Sequence, residues 1–426
     1  MKYNEIHDKA TGLSYYTARH DSGAEILIYK DSGFKGGYAV FGTRYGSIDT
    51  DFRRDGQSDY LSVPPGIAHF LEHKLFESED GGVFQKYAET GASANAYTSF
   101  DRTCYLFQCS DNFKKNFDIL LDFVQKPYFT EENVEKEQGI IAQEIRMYDD
   151  SASWQVFFNL LRGMYQTHPV RIDIAGTVDS IAKIDDKILY ECYNTFYNPG
   201  NMFIAVAGNV DVEETLAQIE LSLNNGELKI ENGELDRLAI DEPQEVGKSY
   251  IETKLPVAMP LMCFGIKLDV KGVMPLKSRV CGEMLLAVLA GKSSELQEGL
   301  FGKQLINDSF EAELFYGRDY ACLIFSCESC DPAAAQREIK SAIVSVKQSG
   351  IDAADFQRIK RKRYGRLIMQ YNDAEHIASR LVNCAMFGEE LFGEQEILRG
   401  LTTDDVNEFL RGVDPGNSIL SVVLPA

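Results

Sequence analysis

The sequence predicts an α+β fold made of two homologous halves, each a mostly antiparallel sheet with helices packed on one face. Three observations carry this expectation. Strand-like alternation gives way to helical periodicity twice, at a spacing of about half the chain. A connector rich in Gly, Asn, Glu and Asp, NNGELKIENGELDRLAIDEPQEVGK, separates the two runs. A length of 426 residues suits two domains better than one. The expected division is an N-terminal half over residues 1–230, a linker over 231–248 and a C-terminal half over 249–426.

In the first half, residues 24–29 (AEILIY) and 38–43 (YAVFGT) read as strands, and residues 65–76 as a helix. Residues 93–99 and 103–108 form a strand pair around Phe100-Asp101-Arg102. Residues 113–124 and 131–148 carry apolar side chains at three- and four-residue spacings, which is helical, and 201–208 (NMFIAVAG) is a further strand. The second half repeats the order. Residues 260–270 are strand-like and 282–289 helical; 310–315 and 320–327 pair as strands, and 333–348 form a helix.

Composition narrows the function classes. The net charge of −22 argues against a nucleic-acid binder and against anionic membrane surfaces, and leaves basic peptides as the electrostatically favoured ligands. No run of 18 apolar residues exists, so no membrane span is expected. The opening MKYNEIHDKATGLSYY has no apolar stretch, so no secretory signal is expected. Nine scattered cysteines, an odd number, read as reduced thiols in a cytoplasmic protein. Cys327 and Cys330 form a lone CxxC inside a strand-like run, which is structural. Gly291-Lys292-Ser293 ends like a phosphate loop, but Leu286 stands where the loop needs its first glycine. No GxSxG nucleophile elbow is present. His168, before Pro169, reads as a turn residue, and His376 on a helix over 372–387 as surface or packing.

The chemistry concentrates in PGIAHFLEHKLFE. On a helix, His69, Glu72 and His73 share one face, because positions i, i+3 and i+4 do. Two imidazoles one turn apart can reach one metal ion, and the carboxylate beside them can act on its water. This is the inverted HxxEH pattern of zinc peptidases, in which Glu72 takes a proton from the water and returns it to the leaving amine. A catalytic zinc site wants a third protein ligand. The best source is the helix EENVEKEQGIIAQEIRMY, where Glu144 lies in the apolar part and needs a partner. Glu137, two turns earlier on the same face, could orient a histidine.

These segments resemble a known family. GIAHFLEHKLFE, then GASANAYTSFDRTCYLF, then EKEQGIIAQEIRMY are similar to the pitrilysin (insulinase) family of zinc peptidases, which includes mitochondrial processing peptidase and insulin-degrading enzyme. Within it the chain most resembles the bacterial YmfH-like branch. HPVRIDIAGTVDSI (168–181) and FYNPGNMFIAVAGNVD (196–211) agree with this.

The resemblance implies a fold of the LuxS/MPP-like metallohydrolase type. It implies zinc (Zn2+) held by His69, His73 and Glu144, with Glu72 as catalytic base and Glu137 as supporting catalytic residue. It also implies a substrate-binding edge strand at Asn95, Ala96 and Tyr97 that pairs with an extended peptide. One departure stands out. Where the family carries an Arg followed seven residues later by a Tyr that face the scissile carbonyl, SSELQEGLFGKQLINDSF places Phe301 and Asp308. Losing such donors costs about 10²–10³ in rate.

The resemblance therefore implies a heterodimer, with a homologous subunit lacking HxxEH supplying the Arg/Tyr pair, and a homodimer as the alternative. The expected function is a zinc metallo-endopeptidase of peptides or peptide precursors. A non-hydrolytic peptide-binding or maturation subunit is the alternative, and an assembly scaffold like the respiratory-complex core subunits a third.

Overall fold

The fold was described from a computed structural model of the chain. It describes residues 1–426 except Asp55, Asp80, Gly81, Glu227 and residues 229–234. The strands are β1 (Tyr3–His7), β2 (Ser14–Arg19), β3 (Glu25–Lys30), β4 (Gly37–Thr43), β5 (Asp51–Arg54), β6 (Leu61–Ser62), β7 (Ser93–Thr98), β8 (Thr103–Cys109), β9 (Met202–Gly208) and β10 (Leu235–Arg237). The series continues with β11 (Tyr250–Leu255), β12 (Leu261–Lys267), β13 (Glu311–Gly317), β14 (Tyr320–Glu328) and β15 (Ser418–Pro425). The helices needed below are α1 (Ile67–Leu75), α2 (Val83–Ala88), α3 (Phe113–Phe123), α4 (Glu131–Asp149) and α5 (Ala152–Met164).

Two compact units result. The first comprises Met1–Gln143, Asp173–Leu238 and Ile368–Phe392, and the second Glu144–Ile172, Ala239–Leu367 and Gly393–Ala426. The first holds a seven-stranded sheet in the order β1-β2-β3-β9-β4-β8-β7, in which only β3 and β9 run parallel. The second holds a five-stranded sheet, β11-β15-β12-β14-β13, with β11 and β15 parallel. The run β3-β9-β4-β8-β7 has the same connectivity and directions as β11-β15-β12-β14-β13. The α+β class and the duplication expected from the sequence are both present in this topology.

The central strands β4 (GYAVFGT) and β9 (MFIAVAG) are buried along their whole length, so both faces of the first sheet are covered. On one face Phe107 packs against Phe113 and Phe117 of α3. On the other, Tyr29, Val40 and Phe203 pack against Ile377, Leu381 and Phe392. The second sheet repeats this. Phe264 and Phe325 face helices of the C-terminal half, while Leu160 and Met164 of α5 meet the opposite face at Gly265.

Each half's own helices thus lie on one face, as the sequence led us to expect. The second face is covered by a helix from the other half of the chain: Ala374–Phe387 for the first sheet, α5 for the second. The contiguous division at 230 and 248 is crossed by these two segments. Of the expected linker, 231–234 lie outside the described residues, and β10 pairs with β5 in a small three-stranded sheet with β6. All nine cysteines are free thiols, and Cys327 is buried while Cys330 is exposed.

His168 is fully buried in the second unit. Its Nδ1 accepts from the Val170 N–H at 3.0 Å, and its Nε2 lies 3.0 Å from the Arg318 carbonyl. The ring is used on both sides as a neutral imidazole, so the reading of a simple turn residue understates it. Burial, opposed by that carbonyl and nearby acids, pulls its pKa down to about 4. Glu242 is half-buried. Burial raises its carboxyl, but the Lys267 ammonium and the backbone N–H groups of Gln166, Thr167 and His168 outweigh this and hold it at about 2.

The unfolded chain binds a proton at His168 from about pH 6.5 downward, whereas the folded chain does so only near 4. Stability is therefore lost as the pH falls through that window, by on the order of 3 kcal/mol for His168. Glu242 adds a second loss between its ordinary range and about 2. The urea midpoint is expected to drop between pH 6.5 and 4, and His168→Asn to flatten that part of the curve.

Candidate metal centre

α1 begins where Pro64-Pro65-Gly66 turns the chain. Gly66 has φ 94°, and a Cβ there would lie 2.4 Å from the Ala175 carbonyl oxygen, so only glycine fits. Ile67, Phe70, Leu71 and Leu75 bury one side of the helix. That burial leaves His69 and His73 half-buried, with ring centroids 4.6 Å apart at 60°. Glu72, on the same helix face, is buried, and its Oε2 accepts from the Thr98 hydroxyl at 2.8 Å.

α4 brings the second carboxylate set. Glu137 is buried, and its Oε1 lies 3.0 Å from His73 Nδ1. A carboxylate accepts, so Nδ1 carries the proton and Nε2 is left as the ligand atom. Burial pushes the Glu137 carboxyl up, but the His73 hydrogen bond and the charges of His73, Lys74 and Lys136 outweigh it and hold the group below its usual range. Two turns on along the same helix, Glu144 is half-buried and accepts from the Tyr148 hydroxyl at 2.6 Å. Tyr148 in turn stacks on Trp154, with centroids 4.3 Å apart.

One ligand atom each from His69, His73 and Glu144 lie within 4.8 Å of one another, the one such group of three found among the described residues. Two neutral imidazoles and a carboxylate suit Zn²⁺, and three protein ligands leave a position open, which is the catalytic pattern. Every residue singled out for the metal in the sequence comes to this place. The edge strand does too in part. β7 pairs with β8 alone and ends the sheet, and the Ala96 N–H is held by its neighbour's Asn95 Oδ1 at 2.9 Å. Tyr97 is 39% exposed on that strand.

Comparison with known proteins bears on what this arrangement is. Residues 62–178 match the family Insulinase (Peptidase family M16), and residues 183–363 match the Peptidase M16 inactive domain. The chain is 39% identical over 402 residues to the zinc protease YmfH of Bacillus subtilis, covering 93% of each. The chain belongs to peptidase family M16. Among solved structures, this M16 chain matches an M16-like peptidase from Alicyclobacillus acidocaldarius with a TM-score of 0.92 and 33% identity, covering 100% of this chain and 99% of that one. A mitochondrial-processing peptidase subunit beta of Arabidopsis thaliana is 28% identical over 207 residues, covering 47% of this chain and 39% of that one.

Three residues around the His69, His73 and Glu144 cluster escaped the sequence reading. Thr98 sits two positions beyond Ala96 on the edge strand, so strand alternation could have placed it on Ala96's face. Tyr148 lies one turn after Glu144. Lys74 follows the second histidine, and nothing in the motif announces its burial. A fourth feature concerns charge. In the second unit a cavity of about 610 Å³ is lined by Lys292, Arg358, Lys362 and Arg366 beside Glu311 and Glu313 of β13. The cationic run RIKRKRYGR over 358–366 is hidden by the chain's acidic total. No helix among the described residues is long and apolar enough to cross a membrane.

Proposed function

We propose that the chain is a zinc-dependent metallo-endopeptidase that cleaves peptides or peptide precursors. The observation that supports this best is the convergence of His69, His73 and Glu144 within 4.8 Å, with Glu72 on the same helix face as the two histidines. Zinc bound by these residues would supply Lewis acidity to the scissile carbonyl and to a water molecule. Glu72 takes the proton of the attacking water and returns it to the leaving amine, its carboxylate steadied by Thr98. Glu137 fixes the ring of His73. Asn95, Ala96 and Tyr97 on the open edge of β7 bind the substrate backbone as an added strand, which gives affinity with modest sequence preference.

The oxyanion is the incomplete part. Phe301 is 58% exposed on the helix Glu295–Gly302, and Asp308 lies in the turn that follows. Neither side chain can donate to a developing oxyanion as an Arg and a Tyr would. Full activity therefore takes a homologous partner subunit that contributes the pair. The same substitution favours a second reading, a peptide-binding or maturation subunit of such a heterodimer without hydrolysis of its own. A cytoplasmic location is part of the proposal in both readings and is supported by the nine free thiols.

Chelation separates them. Removing the metal with a chelator is expected to abolish peptide cleavage by the chain mixed with its partner, and added zinc to restore it. Peptide cleavage that survives in the metal-free protein would end the zinc reading. A zinc-loaded pair that binds peptide without cutting it would establish the second reading instead.

A further inference from the structure

Lys74 is fully buried, 0% exposed, in the residue after a metal ligand. Its ammonium lies 2.6 Å from Glu77 Oε2, 3.1 Å from the Asn133 carbonyl oxygen and 3.9 Å from Glu137 Oε2. Burying an ammonium costs several kcal/mol, and an aliphatic side chain of similar size would fill the same space without that cost. Its partners locate its use. Asn133 and Glu137 stand one turn apart on α4, so a single side chain of α1 hydrogen-bonds that helix at one turn and lies against its carboxylate at the next. The Glu137 carboxylate thus hydrogen-bonds the His73 ring through Oε1 and faces the Lys74 ammonium, 3.9 Å away, at Oε2. Glu77 is 33% exposed on its side chain and balances the charge from the solvent side.

We propose that Lys74 is a positioning residue, which acts through Glu137 to set the orientation and Nδ1–H tautomer of His73. It touches neither a ligand atom nor the substrate. A carboxylate gripped at one oxygen alone can rotate about its terminal torsion, a broad and soft one. The His73 ring can then turn or present its Nε2–H form, which cannot ligate through Nε2. The ammonium facing Oε2 disfavours that rotation before any ion arrives. The inference rests on the zinc reading for its purpose, but its structural claim concerns the metal-free protein.

The test uses the full chain, metal-free, with Lys74→Gln and Lys74→Met. Gln keeps a donor for the Asn133 carbonyl and loses the charge; Met loses both. Ring-nitrogen NMR on histidine-labelled protein, with the His73 signals assigned by their absence in His73→Gln, reads the tautomer. Competition against a chelator reads zinc affinity. The wild type is expected to show the Nδ1–H form alone, and both variants a mixture of tautomers with zinc affinity lowered by about 10–100-fold. A single Nδ1–H tautomer in Lys74→Gln, with zinc bound within about threefold of wild type, would overturn the proposal and leave Lys74 as a packing residue. If Lys74→Met does not fold, Lys74→Gln decides alone. Neither readout needs peptide cleavage, so the proposal can stand if the hydrolytic reading fails, and the reverse.

Discussion

Glu72→Gln is expected to lower peptide turnover by about 10²–10⁴-fold while zinc content stays at one ion per chain. The amide is nearly isosteric and still accepts from Thr98, so the helix and its two histidines keep their places. What it lacks is the ability to take a proton from water. The loss should fall on kcat, because the amide keeps the Thr98 contact to the edge strand and loses the proton transfer. Measuring kcat and KM separately with the partner subunit present, alongside metal content, checks this. Unchanged turnover would remove Glu72 as the base, and lost zinc would mean that the residue shapes the metal site instead.

Leu381→Ala is expected to cost about 2–5 kcal/mol. Leu381 is 0% exposed on the helix Ala374–Phe387, packed with Val40 and Phe203 of the first sheet. The side chain sits in a layer that interdigitates with two central strands, and those strands cannot move in to fill the gap because β8 and β9 flank β4 on either side. A whole domain is stable by only about 5–15 kcal/mol, so this one truncation consumes a large share. Urea unfolding followed by circular dichroism reads the shift in midpoint. A change below about 1 kcal/mol would show that the helix contributes little to the first unit.

The convergence of His69 and His73 was legible in the sequence because its signal is local. His69, Glu72 and His73 lie within one turn and a half of helix, and the apolar residues between them say which way that helix faces. Glu144 was marked as a candidate by its place in an apolar stretch, and the family resemblance was needed to pair it with the histidines. Thr98 and Lys74 were less legible, since each acts across elements and has no spacing rule relative to its target. The exchanged helices were least legible. α5 and the helix Ala374–Phe387 have ordinary amphipathic patterns, and nothing in such a pattern says which sheet it will cover. Charge misled in a similar way: a total of −22 conceals six Lys and Arg between 358 and 366, because a sum over the chain discards position.

The reciprocal loan of helices has a practical outcome for anyone who cuts this protein. A protease nick within residues 239–248 would yield two fragments, each carrying an element that completes the other's hydrophobic layer. The nicked species should elute as one particle and separate only in denaturant. Cloning either half by itself would leave a greasy sheet surface bare, and aggregation is the natural fate of such a product.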